Sequence, residues 1–293
     1  MDRVLKSKTA VAVFMLPAFL AYTVIIFYPM CKSIYFTFFE GTPYVSFEFV
    51  GFRNYLKLLG DREFINSFVI TMKYFIAVAG GWVVLGLIAA LLFTYGMKRF
   101  VNLARTIIYL PVVIPGVAAA AMFSKIFEIE PHYGLFNSLL SAVGLESLVK
   151  AWTGLSSTAI WTICAADMWR GLGYYAIIYY AGLISVPREL EEAAKIDGAG
   201  ILQTIWRVVL PILRPVTIMS AVLAINNALR VYDMPVILTH GGPGQATQTL
   251  SLYMYKVAFT RWEYGYGSTI AVVMLIMILL ATQAVAALDK KEG

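Results

Sequence analysis

Apolar residues in this chain neither alternate nor mark one side of each helical turn. They run on with little interruption by charge, at about residues 11–35, 66–95, 106–127, 157–184, 216–236 and 269–288. A helix needs about 20 such residues to cross the hydrocarbon core of a bilayer. In lipid the backbone must satisfy its own polar groups, which favours helices over open strands. The pattern therefore predicts an all-α, polytopic membrane protein, one transmembrane domain over residues 1–293 with six transmembrane helices.

The intervening segments differ in kind. Residues 137–148 are too short to span and predict an amphipathic helix on the outer surface. Arg3, Lys6 and Lys8 followed by an apolar run resemble a signal peptide, but the run continues through Tyr28 and Pro29 without a small-residue cleavage site, so it reads as an uncleaved first span. The segment 185–215 is too long for a plain connector. Pro187 suits a first helical turn, and the residues from Arg188 to Asp197 predict a short helix with glutamates at its positive end. Gly198 and Gly200 allow a turn, and a second helix runs from Ile201 until Pro211 stops it.

Charge orients the spans. With the N-terminus inside, the inner segments carry Arg3, Lys6, Lys8, Lys98, Arg99, Arg105, Arg188, Lys195, Arg207, Arg214, Lys290 and Lys291. The outer ones carry Arg53, Lys57, Arg62, Lys150, Lys256 and Arg261. Twelve against six obeys the positive-inside tendency and places both termini and the 185–215 loop in the cytoplasm.

Composition agrees. The chain is 60% hydrophobic and 14% charged, with a mean hydropathy of +0.76. A soluble chain of this kind would expose large apolar patches. The formal charge of +6 is spread over the ends of apolar runs, which excludes a nucleic-acid binder. Cys31 and Cys164 each fall in or beside an apolar run, read as two buried thiols, and form no metal or disulfide motif. His132 and His240 are solitary. No GxxxxGK[ST] phosphate loop is present, so this chain carries no such nucleotide site, and no cofactor or metal is expected in it.

Charges inside spans are costly and mark function by default. Asp167 and Arg170 share one face of the fourth span, and Gly171 and Tyr174 continue it. They read either as a self-neutralising ion pair or as the polar lining of a passage, with Tyr174 presenting an aromatic face to what passes. Asn226, Asn227, Arg230 and Asp233 lie on the fifth span, with Asn227 and Arg230 on one face. They too serve either as lining or as polar contacts between helices. Pro111, Pro115 and Gly116 predict a kink in the third span.

Several motifs resemble one family. Glu192-Ala193-Ala194, then Gly198 after three residues, then Val208-Val209-Leu210-Pro211 after nine more, is similar to the EAA signature of bacterial binding-protein-dependent ABC importer permeases. Val208 in place of Ile is the one departure. The flanks Ser185 to Leu190 and Lys195 to Ala199 resemble the sugar-permease branch, as does Leu238-Thr239-His240-Gly241-Gly242-Pro243 with Thr247 and Tyr253. So do Leu110-Pro111 with Pro115-Gly116, and Gly134-Leu135-Phe136-Asn137.

That resemblance implies the type I importer permease fold. It also implies a multi-pass protein of the bacterial cytoplasmic membrane that forms half of a translocation pathway for a carbohydrate. The partners it implies are a second, homologous permease subunit in a heterodimer, two cytoplasmic ATPase subunits and an extracytoplasmic sugar-binding protein. ATP and magnesium belong to the ATPase, and the chain is itself no enzyme. Glu192, Ala193, Ala194, Asp197 and Gly198 would lie on the coupling helix, with Glu192 meeting the ATPase and Gly198 letting the two short helices pack closely. In maltose-type members an asparagine, a glycine and a tyrosine contact sugar, matching Asp167, Gly171 and Tyr174, and Asp for Asn is a departure. By the same resemblance residues 261–264 either meet the binding protein or are ordinary outer surface. An ion-coupled secondary transporter using Asp167 is the alternative. A membrane enzyme lacks its motifs here.

Overall fold

The computed structural model describes residues 8–43, 45–97, 99–129 and 132–290. Contacts divide the chain into two compact units, Met1–Asp61 with Met254–Val273, and Arg62–Tyr253 with Met274–Gly293.

The first unit opens with α1 (Lys8–Tyr22), which a π turn (Thr23–Phe27) joins to α2 (Tyr28–Phe36). Its apolar side chains face outward, with Phe14 77% and Ile25 71% exposed. Such a surface is stable only against lipid or another apolar helix. Cys31 is exposed there, contrary to the sequence expectation, whereas Cys164 is buried. A hairpin follows, β1 (Phe39–Thr42) antiparallel to β2 (Ser46–Phe49), pairing Phe39 with Phe49 and Thr42 with Ser46. The sequence reading had no strand here, although Ser46-Phe47-Glu48-Phe49 alternates at the strand period. Phe39 stacks on Phe47 at 4.8 Å, and Asn54, on α3 (Arg53–Gly60), donates to the carbonyls of Thr37 and Phe39.

The second unit holds the core. α4 (Arg62–Leu91) packs along α8 (Ala159–Ile184), and α5 (Val101–Val113), α6 (Gly116–Ile126), α12 (Arg214–Leu229) and α13 (Asp233–Thr239) also contact α8. Small residues allow the close approach. A Cβ on Gly173 would lie 2.2 Å from the Ile108 carbonyl oxygen, and one on Gly86 would lie 2.7 Å from the Tyr175 Cβ. Tyr74, Val78 and Trp82 of α4 and Ile163, Cys164 and Tyr175 of α8 fill the centre with Ala119, Ala120, Ala224 and Ala228.

Three helices among the described residues are long and apolar enough to cross a membrane, Ala12–Phe36, Arg62–Gly96 and Tyr264–Ala287, or five if each of two bent pairs is one span. α8 is not among them. Packed against five helices, with 13 of its 26 residues buried, it can hold Asp167, Arg170 and several tyrosines on sides turned to other helices. The third predicted span breaks rather than kinks, α5 meeting α6 at 98°. Ile114, ahead of Pro115, is pushed to an extended conformation (φ −73°, ψ 124°). The fifth predicted span ends at Leu229, and α13 starts afresh at Asp233. The predicted helix 137–148 is shorter, α7 (Leu135–Ala142) followed by a 3-10 turn (Glu146–Leu148) beyond Gly144 at φ +78°.

The long loop folds as α9 (Arg188–Ile196), then α10 (Ile201–Thr204), a π turn (Ile205–Val209) and α11 (Leu210–Ile212). Its second helix runs past Pro211. The wide π turn just before it absorbs a proline that has no N–H to give. A Cβ on Gly198 would meet nothing within 4 Å. Its backbone, at φ +82°, is what requires glycine; close packing of the two helices, as expected from the sequence, is not the reason.

Candidate functional site

A cavity of about 350 Å³ opens in the second unit where both broken helices meet α8. Its walls are Asp167, Arg170, Gly171, Tyr174 and Tyr175 from α8, Val112 and Gly116 flanking the α5–α6 break, Trp82 from α4, and Asn227 with the residues from Arg230 to Met234 around the α12–α13 break. The structure thus brings Asp167, Arg170, Gly171, Tyr174, Asn227 and Arg230 together, although the helix expected to carry the last two does not run on through Asp233.

Their environments differ. Asp167 is 2% exposed. Its Oδ1 accepts the Nε–H of Arg170 at 2.8 Å, and its Oδ2 accepts the hydroxyl of Tyr74. Trp82 donates from Nε1 to the Asp167 carbonyl oxygen at 3.1 Å. The ring of Trp82 occupies the space above Gly171, where a Cβ would lie 2.3 Å from Nε1, and it stacks on Tyr175 at 5.2 Å and 17°. Asn227 donates from Nδ2 towards the Tyr175 hydroxyl at 3.4 Å. Tyr174 is exposed and meets Tyr175 edge-on at 5.3 Å.

The break between α12 and α13 supplies the other wall. Arg230 is exposed and donates from Nε to the Asn226 carbonyl at 2.9 Å. Asp233 is exposed as well, and its Oδ2 lies against Gly116, 3.0 Å from the position a Cβ would take there. Chemically the site offers aromatic faces, an amide and both signs of charge, with no nucleophile–base pair. Sequence reasoning missed Trp82, Tyr175 and Tyr232. Trp82 has no local signal, since the packing of α4 on α8 alone puts it here.

The loop residues lie apart from this cavity. Glu192, Ala193, Asp197 and Gly198 are exposed and Ala194 is half-buried. Ala194, Asp197 and Gly198 line a separate cavity of about 310 Å³ with Arg207 and others. Glu191 faces the other way and accepts the Tyr95 hydroxyl at 3.0 Å.

A family model described as the binding-protein-dependent transport system inner membrane component matches residues 82–292, a stretch that includes every wall of the cavity and the 188–212 helices. The chain belongs to this family. It is 34% identical over 276 residues to the probable ABC transporter permease protein YurN of Bacillus subtilis, covering 94% of each chain. It is also 34% identical over 234 residues to the trehalose/maltose transport system permease protein MalF of Thermococcus litoralis, covering 80% of this chain and 77% of that one. A solved bacterial alginate ABC transporter, in complex with an alginate pentasaccharide-bound periplasmic protein, contains a chain that matches with a TM-score of 0.80. That match is 21% identical and covers 94% of this chain and 92% of the other, and it shows the permease fold. The protein is therefore a permease component of an ABC transporter. The ion-coupled alternative loses its support, and its key group, the Asp167 carboxylate, is enclosed by Tyr74 and Arg170.

Proposed function

We propose that the permease forms one half of the pathway by which an ATP-driven importer moves a neutral carbohydrate across the bacterial cytoplasmic membrane. The observation that carries this reading is the composition of the 350 Å³ cavity. Sugars present hydroxyls and apolar C–H faces together, and this cavity pairs exposed Tyr174 with Asn227, Arg230 and Asp233. With Asp167 neutralised by Arg170, the remaining ions, Arg230 and Asp233, are equal and opposite, which suits an uncharged ligand. The trehalose/maltose relative supports the same substrate class.

In this reading six helical segments cross the membrane with both termini inside. A second, homologous permease completes the pathway. Two ATPase subunits, which bring ATP and magnesium, receive α9 through Glu192 and the adjoining Ala193, Ala194, Asp197 and Gly198, and closure of their socket moves the loop as one body. An extracytoplasmic sugar-binding protein docks on the opposite side, near residues 261–264, where Lys57 and Glu263 pair at 2.6 Å.

The test is purification of the tagged chain from native membranes in mild detergent, followed by intact-complex mass and ATPase assay with a panel of neutral oligosaccharides from maltose to maltopentaose. One different permease, two ATPase copies and sugar-stimulated hydrolysis are expected. A chain recovered alone or only with copies of itself would overturn the reading.

A further inference from the structure

Residues 247–249, which follow the Leu238–Pro243 motif, have no part in the cavity wall as described, yet they are among the most completely buried polar positions of the described residues. Thr247, Gln248 and Thr249 are 0% exposed. Three consecutive residues are each stitched to another element. Gln248 donates from Nε2 to Glu63 Oε1 at 3.0 Å and to Ser67 Oγ at 3.3 Å, both on α4. Thr249 donates from Oγ1 to the Val231 carbonyl at 3.1 Å. The Leu250 N–H donates to Thr71 Oγ1 at 2.8 Å, again on α4.

The bond to Val231 falls where the fold leaves a backbone group without a helix. α12 has ended at Leu229 and α13 begins at Asp233. A carbonyl that no helix satisfies turns to a side chain or to water, and here a buried hydroxyl 18 residues further along the chain supplies the bond. Val231 and its neighbours Arg230, Tyr232 and Asp233 are one wall of the cavity. That wall is therefore held to α4 through residues 248–250 as well as by its own helix.

We propose that Thr249 is a positioning residue for the cavity. The 248–250 strap fixes the non-helical break so that Arg230, Tyr232 and Asp233 follow the end of α4, and a movement of that end is passed to the wall. This rests on the reading of the cavity as the substrate passage, but its test does not. In the purified complex without sugar, amide hydrogen exchange is compared for wild type, Thr249→Val, Thr249→Ser and Thr71→Val.

Thr249→Val keeps the shape and removes the donor. The loss of this one hydrogen bond corresponds to about a tenfold rise in exchange, expected over residues 230–236 and absent from residues 160–180. Thr249→Ser restores the donor and should exchange as wild type. Thr71→Val, whose hydroxyl bonds Leu250 and not the break, should raise exchange over 230–236 through the strap. The same readout serves if Thr249→Val does not assemble. Unchanged exchange at 230–236, or a rise shared by all helices, would overturn the proposal. Because no sugar is present, that failure is distinct from an absence of sugar-stimulated ATP hydrolysis, which counts only against the transport reading.

Discussion

Arg170 lies one helical turn beyond Asp167 on α8 and donates its Nε–H to Oδ1 of that carboxylate across 2.8 Å. The pair is unequal. The Asp167 side chain is 3% exposed and that of Arg170 29%, so the carboxylate belongs to the interior and the guanidinium to the cavity rim. Removing the carboxylate leaves the fully buried Tyr74 hydroxyl without its acceptor, which costs about 1–3 kcal/mol, while Arg170 can turn to the cavity. Asp167→Ala should therefore lower the thermal unfolding midpoint of the detergent-purified complex sharply. Asp167→Asn keeps an oxygen for the Tyr74 hydroxyl and should lower it much less. Equal shifts for the two variants would show that the carboxylate carries no structural load.

Charge at the α12–α13 break distinguishes a neutral from an anionic substrate. For a neutral sugar, Arg230→Gln and Asp233→Asn each remove one charge-assisted hydrogen bond, worth about 1.5–3 kcal/mol. Each should cut uptake by roughly tenfold or more, measured with whichever oligosaccharide best stimulates ATP hydrolysis. For an anion the two would diverge, with Asp233→Asn raising uptake and Arg170→Ala weakening it more than Asp167→Asn.

Gly171 and Gly173 are two residues apart and should fail differently. A methyl on Gly173 would enter the Ile108 carbonyl at 2.2 Å, and backbone on a packed helix has nowhere to go. Gly173→Ala is expected to lose assembled protein on size-exclusion chromatography. A methyl on Gly171 would meet the Trp82 indole first, a side chain that can rotate at an overpacking cost of about 1–3 kcal/mol. Gly171→Ala should assemble, and the tryptophan emission should shift as Trp82 leaves its stack on Tyr175.

The long apolar runs made the membrane class and the helical fold legible, because a span must be apolar wherever lipid touches it. They misplaced ends wherever local stereochemistry intervened. Hydropathy averaged over 106–127 does not register that Ile114 before Pro115 must leave the helix, and nothing in residues 216–236 marks Leu229 as a last residue. Asp167, Arg170, Gly171 and Tyr174 could be grouped because one helix carries them at helical spacing. Trp82 and Tyr232 could not, since they reach the cavity from other segments. The break at Ile114, expected only as a kink, and the break after Leu229, not expected at all, are what open the cavity, so the candidate site was legible in many of its residues and not in its shape.

Glu191 and Glu192 are neighbours on α9 with opposite surroundings. Glu191 is half-buried and accepts the Tyr95 hydroxyl at 3.0 Å, which ties α9 to the π turn (Leu92–Gly96) that follows α4. Glu192 is exposed on the next face. Tyr95→Phe removes one hydrogen bond, worth about 1 kcal/mol, and should loosen α9 against the membrane helices. The thermal midpoint then falls slightly and coupling weakens in proportion. Glu192→Ala removes nothing that holds the permease together and should leave the midpoint unchanged. If α9 is the element the ATPase grips, the same variant abolishes sugar-stimulated hydrolysis while basal hydrolysis persists. A Glu192→Ala complex with full stimulation would move the point of grip elsewhere on the loop, and Asp197→Ala would be the next variant to measure.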